Sequence, residues 1–223
     1  MIITIDGSAG SGKSTVARKI ANNTGLIHLN SGALFRAVAV NALRSGLALD
    51  DELGVAKVAS SLSFDFLLDE NKETKFLVNG LDAAAEISAE EVGESASLIA
   101  ILPQVRELLL KVQHQVAEKN VAEGRALVVE GRDSGTVVFP NADKKFYLHA
   151  SPEVRARRRY EQLSHLGNIT YERLLDDMRK RDLRDANREI APQRKAEEAV
   201  LVDTSNLGIE EVVNLILQQL PKV

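Results

Sequence analysis

With 223 residues, 44% apolar and 27% charged, the chain has the make-up of one larger globular domain that buries a core without staples. It contains no cysteine, which excludes disulfides and thiolate zinc sites. A net charge of −4 argues against a general nucleic-acid coat or a binder of anionic membranes, so any polyanion site must be a local concentration of Arg and Lys.

The start, MIITIDGSAGSGKST, has no basic segment followed by a long apolar run, and no stretch nears the roughly 18 apolar residues of a membrane span. A cytoplasmic protein is expected. The run 2–5 reads as a strand ending at Asp6-Gly7, followed by a helix over 13–23. A second short strand is expected at 26–29, and Asn30-Ser31 can cap a helix over 32–44. Runs 64–68 and 76–78 flank the polar turn 69–72, and Asn79-Gly80 precedes Leu81, which predicts two or three antiparallel strands. Pro103 suits the first position of a helix to residue 119, with Val105, Leu108, Leu109, Val112 and Val116 as its apolar stripe.

Further apolar runs at 126–129, 145–148 and 199–202 alternate with helical stretches at 152–164, 171–184 and 209–220. Continuous apolar runs alternating with helices imply a parallel sheet covered on both faces. The expected fold is a three-layer α/β/α domain with a five-stranded parallel sheet and a small antiparallel β insertion.

Gly7-Ser8-Ala9-Gly10-Ser11-Gly12-Lys13-Ser14 matches GxxxxGK[ST], with a strand before it and a helix after it. The backbone amides of such a loop, and the helix N-terminus behind it, cradle phosphates. Residues Gly7 to Thr15 are therefore assigned to the phosphates of a nucleoside triphosphate. Lys13 reaches the β- and γ-phosphates, and the Ser14 hydroxyl is the expected ligand of Mg²⁺.

A GTPase is the first rival. Asn71-Lys72-Glu73-Thr74 begins like NKxD but lacks the aspartate, and Asp51-Glu52-Leu53-Gly54 has DxxG spacing without a preceding strand. Val128-Val129-Glu130-Gly131 is a poor match to the strand of a motor ATPase. A small-molecule kinase needs a second anionic site, and arginines at 36, 106, 132, 155, 157–159, 181, 184 and 188 offer one. A helix turns about 100° per residue, so at least one of the four arginines at 155 and 157–159 must face away from any site. His28, His114, His149 and His165 are scattered and read as surface or structural residues.

Along nearly its whole length the chain resembles the bacterial cytidylate kinases, a branch of the nucleoside monophosphate kinases. The resemblance is carried by ITIDGSAGSGKST, NSGALFRAVA at 30–39, LPQVRELL at 102–109, VVEGRDSGTVVFPNADKKFYLHAS at 128–151 and RDLRDANREIAP at 181–192. It implies transfer of the ATP γ-phosphoryl group to CMP and dCMP, in a domain spanning 1–223 with an inserted monophosphate-binding lobe at 31–117 and a helical lid at 152–190.

By resemblance, Ser31 and Arg36 hold the monophosphate, while Ser97, Arg106 and Asp133 contact cytosine. Arg132 and Arg188 bind phosphate, Arg181 and Asp185 contact ribose and phosphate, and Arg157 and Arg158 lie on the lid over ATP. Lys13, Arg36, Arg132, Arg157, Arg158 and Arg188 would stabilise the transferred charge. Asn30 and Phe35 depart from the family, where Asp and Tyr are common. A monomer is expected, and the alternatives are a kinase of another monophosphate or small metabolite and, less favoured, a P-loop GTPase.

Overall fold

A computed structural model describes residues 1–164, 167 and 169–220; His165, one of the four histidines considered above, falls outside them. Strand β1 (Ile2–Gly7) leads into helix α1 (Lys13–Thr24), and β2 (Ile27–Asn30) into α2 (Ser31–Arg44). Helix α3 (Glu52–Ser61) precedes three short strands, β3 (Phe64–Leu68), β4 (Thr74–Val78) and β5 (Leu81–Asp82). Then come α4 (Glu90–Ile99), α5 (Pro103–Ala122) and β6 (Leu127–Gly131). A wide π-helical turn, Ser134–Val138, separates β6 from β7 (Lys144–His149). The chain continues through α6 (Pro152–Leu163), α7 (Tyr171–Asn187), β8 (Val200–Asp203) and α8 (Ile209–Leu217).

The five-stranded sheet has the order β2-β6-β1-β7-β8, and β3-β4-β5 form a separate sheet. The expected α/β class and the small antiparallel insertion are both present. The chain divides into two compact units, Met1–Ile2 with Ala21–Glu130 and Ile3–Ile20 with Gly131–Val223.

In the first unit β2 pairs in parallel with β6, setting Asn30 opposite Glu130. All five residues of β6 are buried, as its unbroken apolar run predicts for a strand covered on both faces. The hairpin β3–β4 places Phe66 opposite Phe76, their rings 4.8 Å apart. Asn79 and Gly80 both have positive φ, 50° and 78°, the geometry of a tight hairpin turn into β5. Asn30 caps α2 by accepting the Ala33 amide at 3.0 Å.

Two helices were not legible in the sequence, α3 and α4. Helix α3 starts at a cap in which Asp51 accepts the Gly54 amide at 3.0 Å, so the DxxG spacing is a helix cap. The NKxD-like residues lie in the β3–β4 turn, where Asp69 accepts the amides of Asn71 and Glu73, each at 2.9 Å.

In the second unit β7 pairs in parallel with β1 and β8, aligning Gly7 with Leu148 and His149 with Asp203. Ile3, Ile5, Phe146 and Leu148 are almost wholly buried there. Helix α7 continues three residues past the expected end, to Asn187, and α8 stops at Leu217 rather than 220. Among the described residues no helix is long and apolar enough to cross a membrane.

Candidate active site

Buried strand β1 ends where the chain must turn sharply into α1. Gly10 and Gly12 take positive φ, 73° and 88°, which other residues adopt only with strain. Gly10 is also hemmed in: a Cβ there would lie 3.2 Å from Met178 Cε and 3.3 Å from Arg155 Cβ. Lys13 is buried and its Nζ donates to the Ser8 carbonyl at 3.1 Å. Ser11 is buried and, among the described residues, its Oγ has no hydrogen-bond partner, an orphaned polar atom in the phosphate loop. Ser14 is exposed in the first turn of α1 and offers a hard oxygen donor. Among the described residues no cluster of three or more acidic or His side chains could hold a metal.

Several side chains grip this loop from outside. Arg155 is buried on α6; its Nε donates to the Ala150 carbonyl at 2.9 Å and its Nη1 to the Ala9 carbonyl at 2.8 Å. The same guanidinium forks onto the Asp182 carboxylate of α7. Gln193 Nε2 donates to Ser8 Oγ at 2.8 Å and to the Tyr147 hydroxyl at 2.9 Å. Buried Thr204 places Oγ1 3.4 Å from the Ser11 carbonyl of the loop and 3.1 Å from the His149 carbonyl, and Arg158 donates to both Thr204 oxygens.

After β6 the chain carries Arg132 and Asp133. Arg132 Nε lies 3.0 Å from Asp185 Oδ2, and buried Asp133 lies 3.5 Å from Arg188 Nη2. Burial works against the Asp185 charge, yet the neighbouring Arg132, Arg181 and Arg188 hold its carboxyl below the usual range. Arg188 Nε also donates to the carbonyl of Ala191, a buried non-glycine residue with φ of 50°. The structure thus gathers Arg132, Asp133, Arg181, Asp185 and Arg188 into one charged network. Arg157 is exposed instead, with its guanidinium 6.0 Å from the Tyr171 ring.

The remaining predicted residues lie in the first unit. Ser31 is buried at the start of α2, and Ser97 is buried on α4. Arg36 Nη1 donates to the carbonyls of Ile87 and Ala89, at 2.8 and 3.2 Å. Arg106 donates to the Ala100 carbonyl at 3.1 Å and sits 5.8 Å from the Phe35 ring. Phe35 thus keeps an aromatic surface for a guanidinium.

Sequence reasoning missed Asp6, Gln193 and Thr204, and treated Arg155 only as a member of a basic run. Asp6 had a signal, a second polar residue at alternate positions of an apolar strand. Gln193 and Thr204 had none, because their roles come from distant loops.

A phosphate loop between the first strand and helix of a parallel α/β sheet, with a nearby arginine–carboxylate network, defines a P-loop phosphotransferase. The cytidylate kinase family model matches residues 3–222, and the chain belongs to that family. It is 42% identical to a cytidylate kinase of Pasteurella multocida (strain Pm70) over 214 residues, 96% of this chain and 92% of the relative. It is 45% identical to a cytidylate kinase of Colwellia psychrerythraea (strain 34H / ATCC BAA-681) over 217 residues, 97% and 94% of the two chains. Among solved structures, an unliganded sugar kinase from Janibacter sp. HTCC2649 superposes with a TM-score of 0.50 at 14% identity, covering 97% of this chain and 92% of that one. That likeness is one of fold.

Proposed function

We propose that this protein transfers the γ-phosphoryl group of ATP to CMP and dCMP, giving CDP or dCDP and ADP. Family membership supports the reaction, and the observation that carries it is the phosphate loop with buried Lys13, in the same compact unit as the Arg132–Asp185 and Asp133–Arg188 pairs. In the reaction the bond from the γ-phosphorus to the β,γ-bridging oxygen breaks, and a phosphate oxygen of CMP takes its place. That oxygen is already largely ionised near neutral pH, so no strong general base is required. The demand is to hold two polyanions in line, and cations offset the repulsion.

We assign Lys13 and the amides of Gly7–Thr15 to ATP. Bound with ATP, Mg²⁺ would neutralise charge on the β- and γ-oxygens, with Ser14 as its protein ligand. Arg132, Arg181, Asp185 and Arg188 are assigned to the phosphate and ribose of CMP, Ser31 and Arg36 to its phosphate, and Ser97, Arg106 and Asp133 to cytosine. A cytosine site needs a donor for O2 or N3 and an acceptor for the 4-amino group, which Arg106 and Asp133 supply. Arg157 and Arg158 are assigned to the lid, residues 152–190, and the acceptor lobe to residues 31–117. The protein works as a monomer in the cytoplasm, without nucleic acid or membrane.

Incubation with γ-labelled ATP and CMP tests the reaction. Label is expected in CDP, and label released only as inorganic phosphate would refute it. Small-angle scattering tests the lobe and lid: a bisubstrate analogue should contract the protein, and superimposable profiles would refute closure.

A further inference from the structure

Thr4 and Asp6 are buried polar residues alternating with Ile3 and Ile5 along β1. Both carboxylate oxygens of Asp6 are engaged: Oδ1 accepts the Ser134 amide at 2.9 Å and Oδ2 the Gly135 amide at 2.7 Å. The next three amides, of Thr136, Val137 and Val138, all point at the Asp133 carbonyl, at 3.3, 2.9 and 3.2 Å. One side chain and one carbonyl therefore satisfy five consecutive amides and shape the wide turn after β6.

The turn also lies close against β1. A Cβ on Gly135 would sit 2.8 Å from Thr4 Oγ1 and 3.3 Å from Asp6 Oδ2. Immediately before the turn stand Arg132, held by Asp185, and Asp133, held beside Arg188. The residue after Asp6 is Gly7, the first of the phosphate loop.

We infer that Asp6 is a positioning residue for the acceptor nucleotide, holding the Ser134 and Gly135 amides so that Arg132 and Asp133 are presented to CMP. The inference rests on the assignment of those two residues to CMP. The ionised carboxylate accepts both amides; a protonated one places a hydroxyl against an N–H donor and loses one of them. Burial is the main influence on Asp6, helped by the Asp133 charge, and lifts its pKa to about 6 against the pull of the two amides. Among the described residues, other charges around the turn include the Lys145 ammonium, whose stem runs beside Gly135 and which pairs with Glu198, and Arg188 at Asp133.

Steady-state kinetics of Asp6→Asn with CMP and ATP varied separately tests this. An Asn supplies one acceptor oxygen and turns an NH₂ towards the second amide. The KM for CMP should rise about tenfold while that for ATP stays within about twofold. Cytidine, an uncharged inhibitor, reports the acceptor site without a titrating phosphate. Its inhibition of the wild-type enzyme should weaken as pH falls below about 6, and the variant should lack that step.

Gly135→Ala keeps the carboxylate but pushes the turn off it, and should give the same KM split. Adding Thr4→Ala should relieve the contact and restore the KM for CMP. Equal rises in both KM values, an unchanged KM for CMP, or a cytidine step that persists in Asp6→Asn would each overturn the inference. If Asp6→Asn does not fold, the KM split of Gly135→Ala decides. A wild-type enzyme that makes no CDP would sink the functional reading itself, whereas normal CMP kinetics in the variants would sink only the role of Asp6.

Discussion

Arg132 and Asp185 meet at 3.0 Å with both side chains largely withdrawn from water. Asp185 also sits in the field of Arg181 and Arg188, so it neutralises a cluster assigned to phosphate. Asp185→Asn leaves that cluster uncompensated. It should raise the KM for CMP by about tenfold and cost on the order of 2–3 kcal/mol of stability, since a largely buried pair is broken. A depressed carboxyl pKa stabilises the fold above the unfolded value and loses that contribution as pH falls through the folded one. The wild type should therefore lose its advantage over Asp185→Asn below about pH 4 in chemical denaturation.

Asp6 carries the opposite sign. Its carboxyl is raised from 3.8 to about 6, so the folded protein holds its proton more tightly than the unfolded chain. Stability from this group is full below about pH 4 and is lost as pH rises to about 6, with a limit on the order of 3 kcal/mol. The difference in unfolding free energy between wild type and Asp6→Asn should shift in favour of the variant across that window and stay flat above it. A difference independent of pH would contradict this.

Arg155 ties α6 and α7 to the phosphate loop through Ala9 and Asp182. Arg155→Ala removes a buried cation, exposes the loop's outer edge and leaves Asp182 unpaired. A loss of about 2–4 kcal/mol is expected, with the KM for ATP raised at least about fivefold and that for CMP little changed. Thermal denaturation and initial rates check both parts.

Lys13 and Arg106 should separate chemistry from recognition. Lys13→Ala should lower kcat by about 10²–10³-fold, because a preorganised cation is lost where charge develops. Arg106→Ala should raise the KM for CMP far more than that for ATP, with kcat affected less. An unchanged KM for CMP would remove Arg106 from the cytosine site.

Much of the fold was written locally. Four of the five parallel strands are apolar runs ending in Gly, Asp or Ser-Pro, and the phosphate loop is a contiguous motif in its proper strand–loop–helix context. The Asn79-Gly80 turn was legible for the same reason. Helices α3 and α4 were not, because short Ala-, Ser- and Glu-containing segments show weak periodicity. Helix α3 announces itself mainly through the Asp51 cap, which in sequence also fits a nucleotide motif.

Individual arginines were legible as charge, not as role. Arg155, Arg157 and Arg158 sit within four residues, yet one is buried against the phosphate loop, one lies near Tyr171 and one is bound to Thr204. Helical rotation separates their directions, and the partners come from distant segments. The network of Arg132, Asp133, Asp185 and Arg188 likewise depends on α7 returning to the end of β6. Resemblance could point to those residues, but only the folded chain shows them paired.

Acceptor selectivity tests the central claim most directly. ADP release should be measured with CMP, dCMP, UMP and AMP under matched conditions, at fixed ATP and Mg²⁺. The highest kcat/KM is expected with CMP, with dCMP as a substrate and UMP and AMP far behind. Fast turnover of AMP with none of CMP would contradict the account.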